Sequence, residues 1–169
     1  MDFQKFDGQN VGDVVSYLKK YLDSMEGEFT IMIGVDSLPH GLLKKRATFT
    51  QVVAIHRKVE GTGKGAHCLF RRQSKVPVRN TRERLMKEAF QLIEVAQYLR
   101  AHDIEFHPRV IKVDLQLDFN KDKKHESNKY LDEASGYVNA MGFDVNIKPD
   151  APAASYAADF VCRYKNSMR

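Results

Sequence analysis

From Phe29 to Val35 the chain is apolar almost without interruption, and the run ends in Asp36. A strand-length run with no polar alternation is the pattern of a strand covered on both faces, so this stretch predicts a central strand. Upstream, Val11, Val14, Leu18, Leu22 and Met25 recur at helical spacing, with Lys19, Lys20 and Asp23 off the stripe. That spacing predicts a helix over 9–25, broken by the stretch from Met25 to Glu28. Downstream, Ala47 to Lys58 is rich in Thr, Val, Phe and Ile and predicts a second strand, and Ala66 to Gln73 a third. Gly61, Gly63 and Gly65 stand between them. A phosphate-cradling glycine loop opens a helix, whereas these glycines join strand to strand, so they predict a hairpin turn.

Asn80 to Ala101 has the period of a long helix, with Asn80 and Glu83 spaced as a capping box. Arg109 to Phe119 predicts a fourth strand, Ser127 to Ala140 a helix closed by Gly142, and Phe143 to Lys148 a fifth strand. After Pro149 to Pro152, a last helix runs from Ala153 to Lys165. No internal repeat, linker or low-complexity tract interrupts this order. Three strands able to pair as a meander, followed by alternating helix and strand, imply an α/β fold. Its expected form is one domain over 1–169, a mixed sheet flanked by helices, with 1–27 as an N-terminal helical extension.

The acids carry the candidate chemistry. Asp36 at the end of a buried strand reads either as a turn residue or as a metal ligand, because a carboxylate there is costly unless compensated. In the fourth strand Lys112, Asp114, Gln116 and Asp118 share one face, and Ile111, Val113, Leu115 and Leu117 the other. If this strand lies beside the first, Asp114 can approach Asp36. On the long helix, Leu85, Ala89, Leu92, Ala96 and Leu99 form the buried stripe. Glu88 falls about 60° from its centre, while Glu83 and Glu94 fall roughly opposite. Asp159, by the same count, faces away from the Ala157, Val161, Tyr164 stripe, toward solvent or a cleft. Carboxylates on two strands and one packing helix suit a hard cation, Mg²⁺ or Mn²⁺.

Composition adds modest constraints. The chain has 169 residues, 43% of them hydrophobic, enough for one core. No apolar run nears the roughly 20 residues of a membrane span, and the first residues have no signal-peptide character. The two cysteines, Cys68 and Cys162, lack metal-ligand spacing and suggest buried thiols in a reducing, cytoplasmic setting. A net charge of +5 and a pI near 9.1 fit a nucleic-acid partner without requiring one. Basic residues cluster at Lys44, Lys45 and Arg46, at Arg71, Arg72 and Lys75, at Arg79, Arg82 and Arg84, and at Lys121, Lys123 and Lys124. These form either one groove for phosphates or separate solvated patches. With Phe70 and Phe119 the aromatic residues near them, no stacking platform for single strands is expected. His40 and His125 are loop histidines placed for proton transfer or as bystanders.

This order of elements and acids resembles the ribonuclease H-like superfamily, most specifically its small bacterial YkuK-type branch. The motifs that carry the likeness are Ile33-Gly34-Val35-Asp36-Ser37, Val113-Asp114, Gly142-Phe143, and the stretch from Lys148 to Asp159. The likeness spans roughly Phe29 to Arg163. It implies a five-stranded mixed sheet in the order 3-2-1-4-5, with the first and fourth strands parallel neighbours. It also implies a site of four acids, matched here by Asp36, Glu88, Asp114 and Asp159, with Glu83 in reserve for the helix position. Two Mg²⁺ or Mn²⁺ ions held by such acids would serve hydrolysis of phosphodiester bonds in RNA, RNA–DNA hybrid or structured DNA. A binding module that keeps the fold without catalysis is the alternative. An actin-like nucleotide enzyme is a weaker one, since that class needs two copies of the fold.

Overall fold

The computed structural model describes residues 1–41, 45–119, 124 and 126–164. Strands and helices follow in the order β1 (Asp2–Lys5), β2 (Asn10–Asp13), α1 (Val14–Ser24), β3 (Glu28–His40), β4 (Arg46–Val59), β5 (Thr62–Pro77), α2 (Thr81–Ala101), β6 (Val110–Leu117), α3 (Leu131–Ala140), β7 (Val145–Ile147) and α4 (Asp159–Tyr164). A 3-10 turn over Glu126–Tyr130 leads into α3, and a π-helical turn over Ala153–Ala158 leads into α4.

One seven-stranded sheet runs β2-β1-β5-β4-β3-β6-β7. The five strands β5-β4-β3-β6-β7 have the expected order, with β3 and β6 parallel. The difference lies at the N-terminus. In place of a helix beginning at residue 9, the chain makes a hairpin that extends the sheet beyond β5 through Gln4 opposite Phe70 and Lys5 opposite Leu69. Gly8 at φ 94° and Gly12 at φ 68° shape it, in a region of backbone that favours glycine. Asp13 then caps α1 by accepting from the Ser16 N–H at 3.0 Å. Strands of four residues are too short for their period of two to show in the sequence. The glycine turn between β4 and β5 is the expected hairpin: Val59 pairs with Thr62, and Glu60 and Gly61 both take positive φ.

β3 is buried on both sides because the two faces of the sheet are covered by different parts of the chain. Phe29, Ile31, Ile33 and Val35 point to the face packed by α1, α2 and α3, among Leu18, Leu22, Ala89 and Leu92. The opposite face carries Met32, Val52, Ala54 and Phe70 and is covered by the C-terminal turn and α4 through Ala153, Ala158 and Val161. Among the described residues, no helix is long and apolar enough to cross a membrane.

Gly34 sets the distance between β3 and the C-terminal turn. A Cβ on Gly34 would lie 2.4 Å from Ala154 N and 2.6 Å from the Ala153 carbonyl carbon, backbone atoms that cannot turn aside. The second anchor is Gln116, whose buried amide oxygen accepts from Ala153 N–H at 2.7 Å. Gly34→Ala is therefore expected to destabilise the fold by about 2 kcal/mol or more, a fall in Tm of roughly 4–8 °C. Gly136→Ala, in open space on α3, is expected to be neutral or slightly stabilising. Thermal unfolding of the two variants side by side checks both.

Candidate active site

The parallel register of β3 and β6 places Val35 opposite Leu117. One residue further along both strands come Asp36 and Asp118, which therefore end up side by side. Asp159 arrives from the far end of the C-terminal turn, and Glu88 from the sheet-facing side of α2. All four line one pocket of about 340 Å³, together with Ser37 and three cations, Arg84, Lys148 and Arg163. It lies at the C-terminal end of β6 and beside the last part of β3, which does not end at Asp36 but runs on to His40 paired with β4.

Three of the acids have basic partners. Glu88, 1% exposed, accepts from Ser37 Oγ at 2.5 Å and from Arg84 Nη1 at 3.1 Å. Arg84 also donates to Ser37 Oγ at 2.6 Å, which ties helix to strand. Asp118 lies 2.8 Å from Lys148 Nζ and accepts from Ser155 Oγ at 2.6 Å. Asp159 pairs with Arg163 one helical turn on. Asp36, among the described residues, forms no ion pair. Loss of hydration and then the charge of Asp118 push its carboxyl up to about 7, and Asp159 adds to the shift. Burial and the nearby Asp36 likewise hold Glu88 well above the usual carboxylate range. Behind Asp36 the buried Cys162 thiol donates to Thr50 Oγ1 at 3.0 Å, and burial pushes it up to about 12, so it is a packing group rather than a nucleophile.

Asp114 does not join this pocket. It pairs opposite Met32, four residues back from Asp36, a separation of about 13 Å along the strand. Its carboxylate accepts from Asn146 Nδ2 at 2.5 Å and Gln116 Nε2 at 2.9 Å, and faces Lys112 at 3.0 Å. It thus orients the amide of Gln116, the group that anchors Ala153. Asp118 takes the place expected of Asp114. The two lie on one face of the strand, so alternation could not separate them; the register with β3 does. Glu83 is also outside the pocket. It accepts from Arg79 N–H at 2.8 Å as part of the helix cap and pairs with Lys87.

The basic clusters disperse. Arg71 turns toward Glu94 of α2, Arg82 binds Glu133, and among the described residues of these runs Arg84 alone lines the pocket. Lys44, Lys121 and Lys123 lie outside the described residues, as does His125; Lys45, Arg46 and Lys124 are exposed. His40 is held by Thr48 Oγ1 at 2.7 Å. Lys148 and Arg163, the cations that do meet the acids, are isolated in the sequence and carried no charge-run signal.

Among the described residues, no three His, Cys, Asp or Glu side chains stand close enough together to hold a metal ion as they are placed. The donor set nevertheless suits a hard divalent cation: all oxygen, with Asp36 and Asp118 on neighbouring parallel strands repelling each other. Such an ion would displace Lys148 from Asp118 and Arg163 from Asp159.

The chain belongs to the ribonuclease H-like family, whose model, described as Ribonuclease H-like, matches residues 13–163. Within that family it is similar to the "Uncharacterized protein YkuK" of Bacillus subtilis (strain 168), at 28% identity over 159 residues and 88% of each chain. A solved structure titled LC9-RNase H1, a type 1 RNase H with the type 2 active-site motif, is similar at 14% identity, covering 83% of this chain and 72% of its own with a TM-score of 0.35.

The raised Asp36 carboxyl has a consequence for stability. Below pH 4 both folded and unfolded chains carry the proton, but between about 4 and 7 the folded chain binds more protons than the unfolded one. Stability without metal should fall as pH rises through that window and level off above it. Asp36→Asn should flatten this part of the profile and raise stability at pH 8 by about 1–3 kcal/mol. Urea unfolding at several pH values, with chelator present, measures both.

Proposed function

We propose that this protein is a divalent-metal-dependent nuclease of ribonuclease H-like type, acting on phosphodiester bonds in RNA, RNA–DNA hybrid or structured DNA. The observation that carries the reading is the adjacency of Asp36, on β3, and Asp118, just past the end of the parallel β6, with Asp159 and Glu88 in the same pocket. Asp36, Asp118 and Asp159 would hold Mg²⁺ or Mn²⁺, and Glu88 would complete the set once freed from Arg84. Such ions, when bound, supply Lewis acidity toward the attacking water and the leaving oxygen. The chain's own contribution is to fix two carboxylates on rigid strands and to place cations beside them. Arg84 draws Ser37 and Glu88 together, and Lys148 and Arg163 offer positive charge to a phosphate at the pocket's rim.

A second reading is a nucleic-acid-binding module without catalysis. It is favoured by the pairing of Glu88, Asp118 and Asp159 with Arg84, Lys148 and Arg163, an arrangement that is self-neutralising.

End-labelled RNA, hybrid and branched DNA incubated with Mn²⁺ or Mg²⁺ separate the two. The nuclease reading expects cleavage that falls at least about 100-fold in Asp36→Asn and in Asp118→Asn. Asp114→Asn should cost less than about tenfold, with a lowered Tm, since it acts through Gln116. Cleavage that survives both Asp36→Asn and Asp118→Asn contradicts the assignment. Salt-sensitive binding with no cleavage of any of these substrates supports the module instead.

A further inference from the structure

On the sheet face covered by the C-terminal turn lies a second pocket, of about 460 Å³, with no place yet in the proposed chemistry. Met32, Ala54 and Cys68 form its floor, and Phe6, Tyr156 and Phe160 its walls. The aromatic walls are not closed in: Phe6 is 36% exposed, Phe160 47% and Tyr156 73%. Phe6 stacks on Phe160 at 6.1 Å between ring centroids, and edge-on against Phe70 at 5.7 Å. These rings come from opposite ends of the chain, which is why no aromatic platform shows in the sequence. The hairpin at the edge of the sheet supplies Phe6, and the turn that carries Asp159 supplies the other two.

We propose that this pocket takes an unstacked nucleobase of a single-stranded segment whose backbone runs past the acidic site. The inference rests on the nuclease-like reading of that site and names the form of nucleic acid it takes. Three observations support it. The walls adjoin an acid of the site along the chain: Phe160 follows Asp159 directly, and Tyr156 stands three residues before it. The floor residue Met32 lies on β3 about 13 Å from Asp36, within reach of a short oligonucleotide. The charge beside it suits a polyanion. Ala66, Cys68, Phe70 and Arg72 alternate onto one face of β5, which sets Arg72 toward the acids, with Arg163 on α4.

The lining also limits the ligand. Apolar walls and aromatic faces accept the flat surface of any base but offer little to read its edge, so binding should tolerate sequence. Paired bases in a duplex are already stacked and cannot enter. The expected target is thus an unpaired strand, or an unpaired segment beside a duplex.

Binding of fluorescein-labelled oligo(U) and oligo(dT) 12-mers, and of a duplex of equal length, tests this with chelator present so that no cleavage intervenes. Wild-type protein should bind the single strands more tightly than the duplex, and abasic sites within the strand should weaken binding about tenfold. Tyr156→Ala and the double variant Tyr156→Ala/Phe160→Ala should lose about tenfold or more for single strands with no loss for duplex, whereas Tyr156→Phe should retain binding. Because Tyr156 is largely exposed, the single variant should keep its Tm. The chain has seven tyrosines and no tryptophan, so quenching of tyrosine emission on oligonucleotide binding, reduced in Tyr156→Phe/Phe160→Ala, is an independent reading. Single-strand affinity unchanged by abasic sites and by both alanine variants overturns the proposal. So does a change from dimer to monomer in Tyr156→Ala/Phe160→Ala with unaltered oligonucleotide affinity, which assigns the patch to a second copy of the chain. Metal-dependent cleavage with unaltered binding in these variants leaves the nuclease reading standing and removes this one alone.

Discussion

The parallel pairing of β3 with β6 is the constraint from which the rest of the site follows. Its register, Val35 opposite Leu117, brings Asp36 and Asp118 together at one end of the sheet. Two carboxylates so placed repel each other and lose hydration, and the protein meets that cost locally. Lys148 neutralises Asp118, Arg163 neutralises Asp159, and Arg84 with Ser37 satisfies the buried Glu88. Asp36 is left without an ion-pair partner among the described residues, and burial, then the charge of Asp118, hold its proton up to about 7. Two carboxylates of the pocket, Asp36 and Glu88, are thus disfavoured as charges in the absence of a cation.

A second constraint fixes the far side of the site. The C-terminal turn can lie against β3 because Gly34 has no side chain, and it is held there by Gln116, which is oriented in turn by Asp114. The motif Ile33-Gly34-Val35-Asp36 therefore combines three jobs in one strand segment. Ile33 and Val35 fill the core beneath α2, Gly34 admits the turn, and Asp36 supplies a carboxylate. The same docking carries Asp159 into the acidic pocket and Tyr156 and Phe160 to the rim of the apolar one, so the two pockets are built by a single packing event.

Much of this was legible in the chain itself. The unbroken run from Phe29 to Val35 marks a strand covered on both faces, and the helical count places Glu88 at the edge of the buried stripe of α2, where it is found. Asp159 was different: periodicity set it merely away from the apolar stripe, and the family likeness placed it at the site. Asp118 was missed in favour of Asp114 because period-two alternation puts both on the same face, and a strand does not record its register with a neighbour distant in sequence. The N-terminal hairpin was hidden for a related reason, since strands of four residues at an edge are stabilised by pairing with β5 and not by a pattern of their own. Two cations of the site, Lys148 and Arg163, stand apart from the conspicuous basic runs, which point to several different surfaces and bring Arg84 to the pocket.

The central claim is that Asp36 and Asp118, not Asp36 and Asp114, form the metal-binding pair of this ribonuclease H-like fold. Diffraction from Mn²⁺-soaked crystals, collected at the manganese absorption edge, addresses it most directly. The account predicts an anomalous peak bracketed by the carboxylates of Asp36 and Asp118, with Lys148 moved off Asp118 and no peak beside Asp114. A peak at Asp114, or none at the Asp36–Asp118 pair under saturating Mn²⁺, would contradict it.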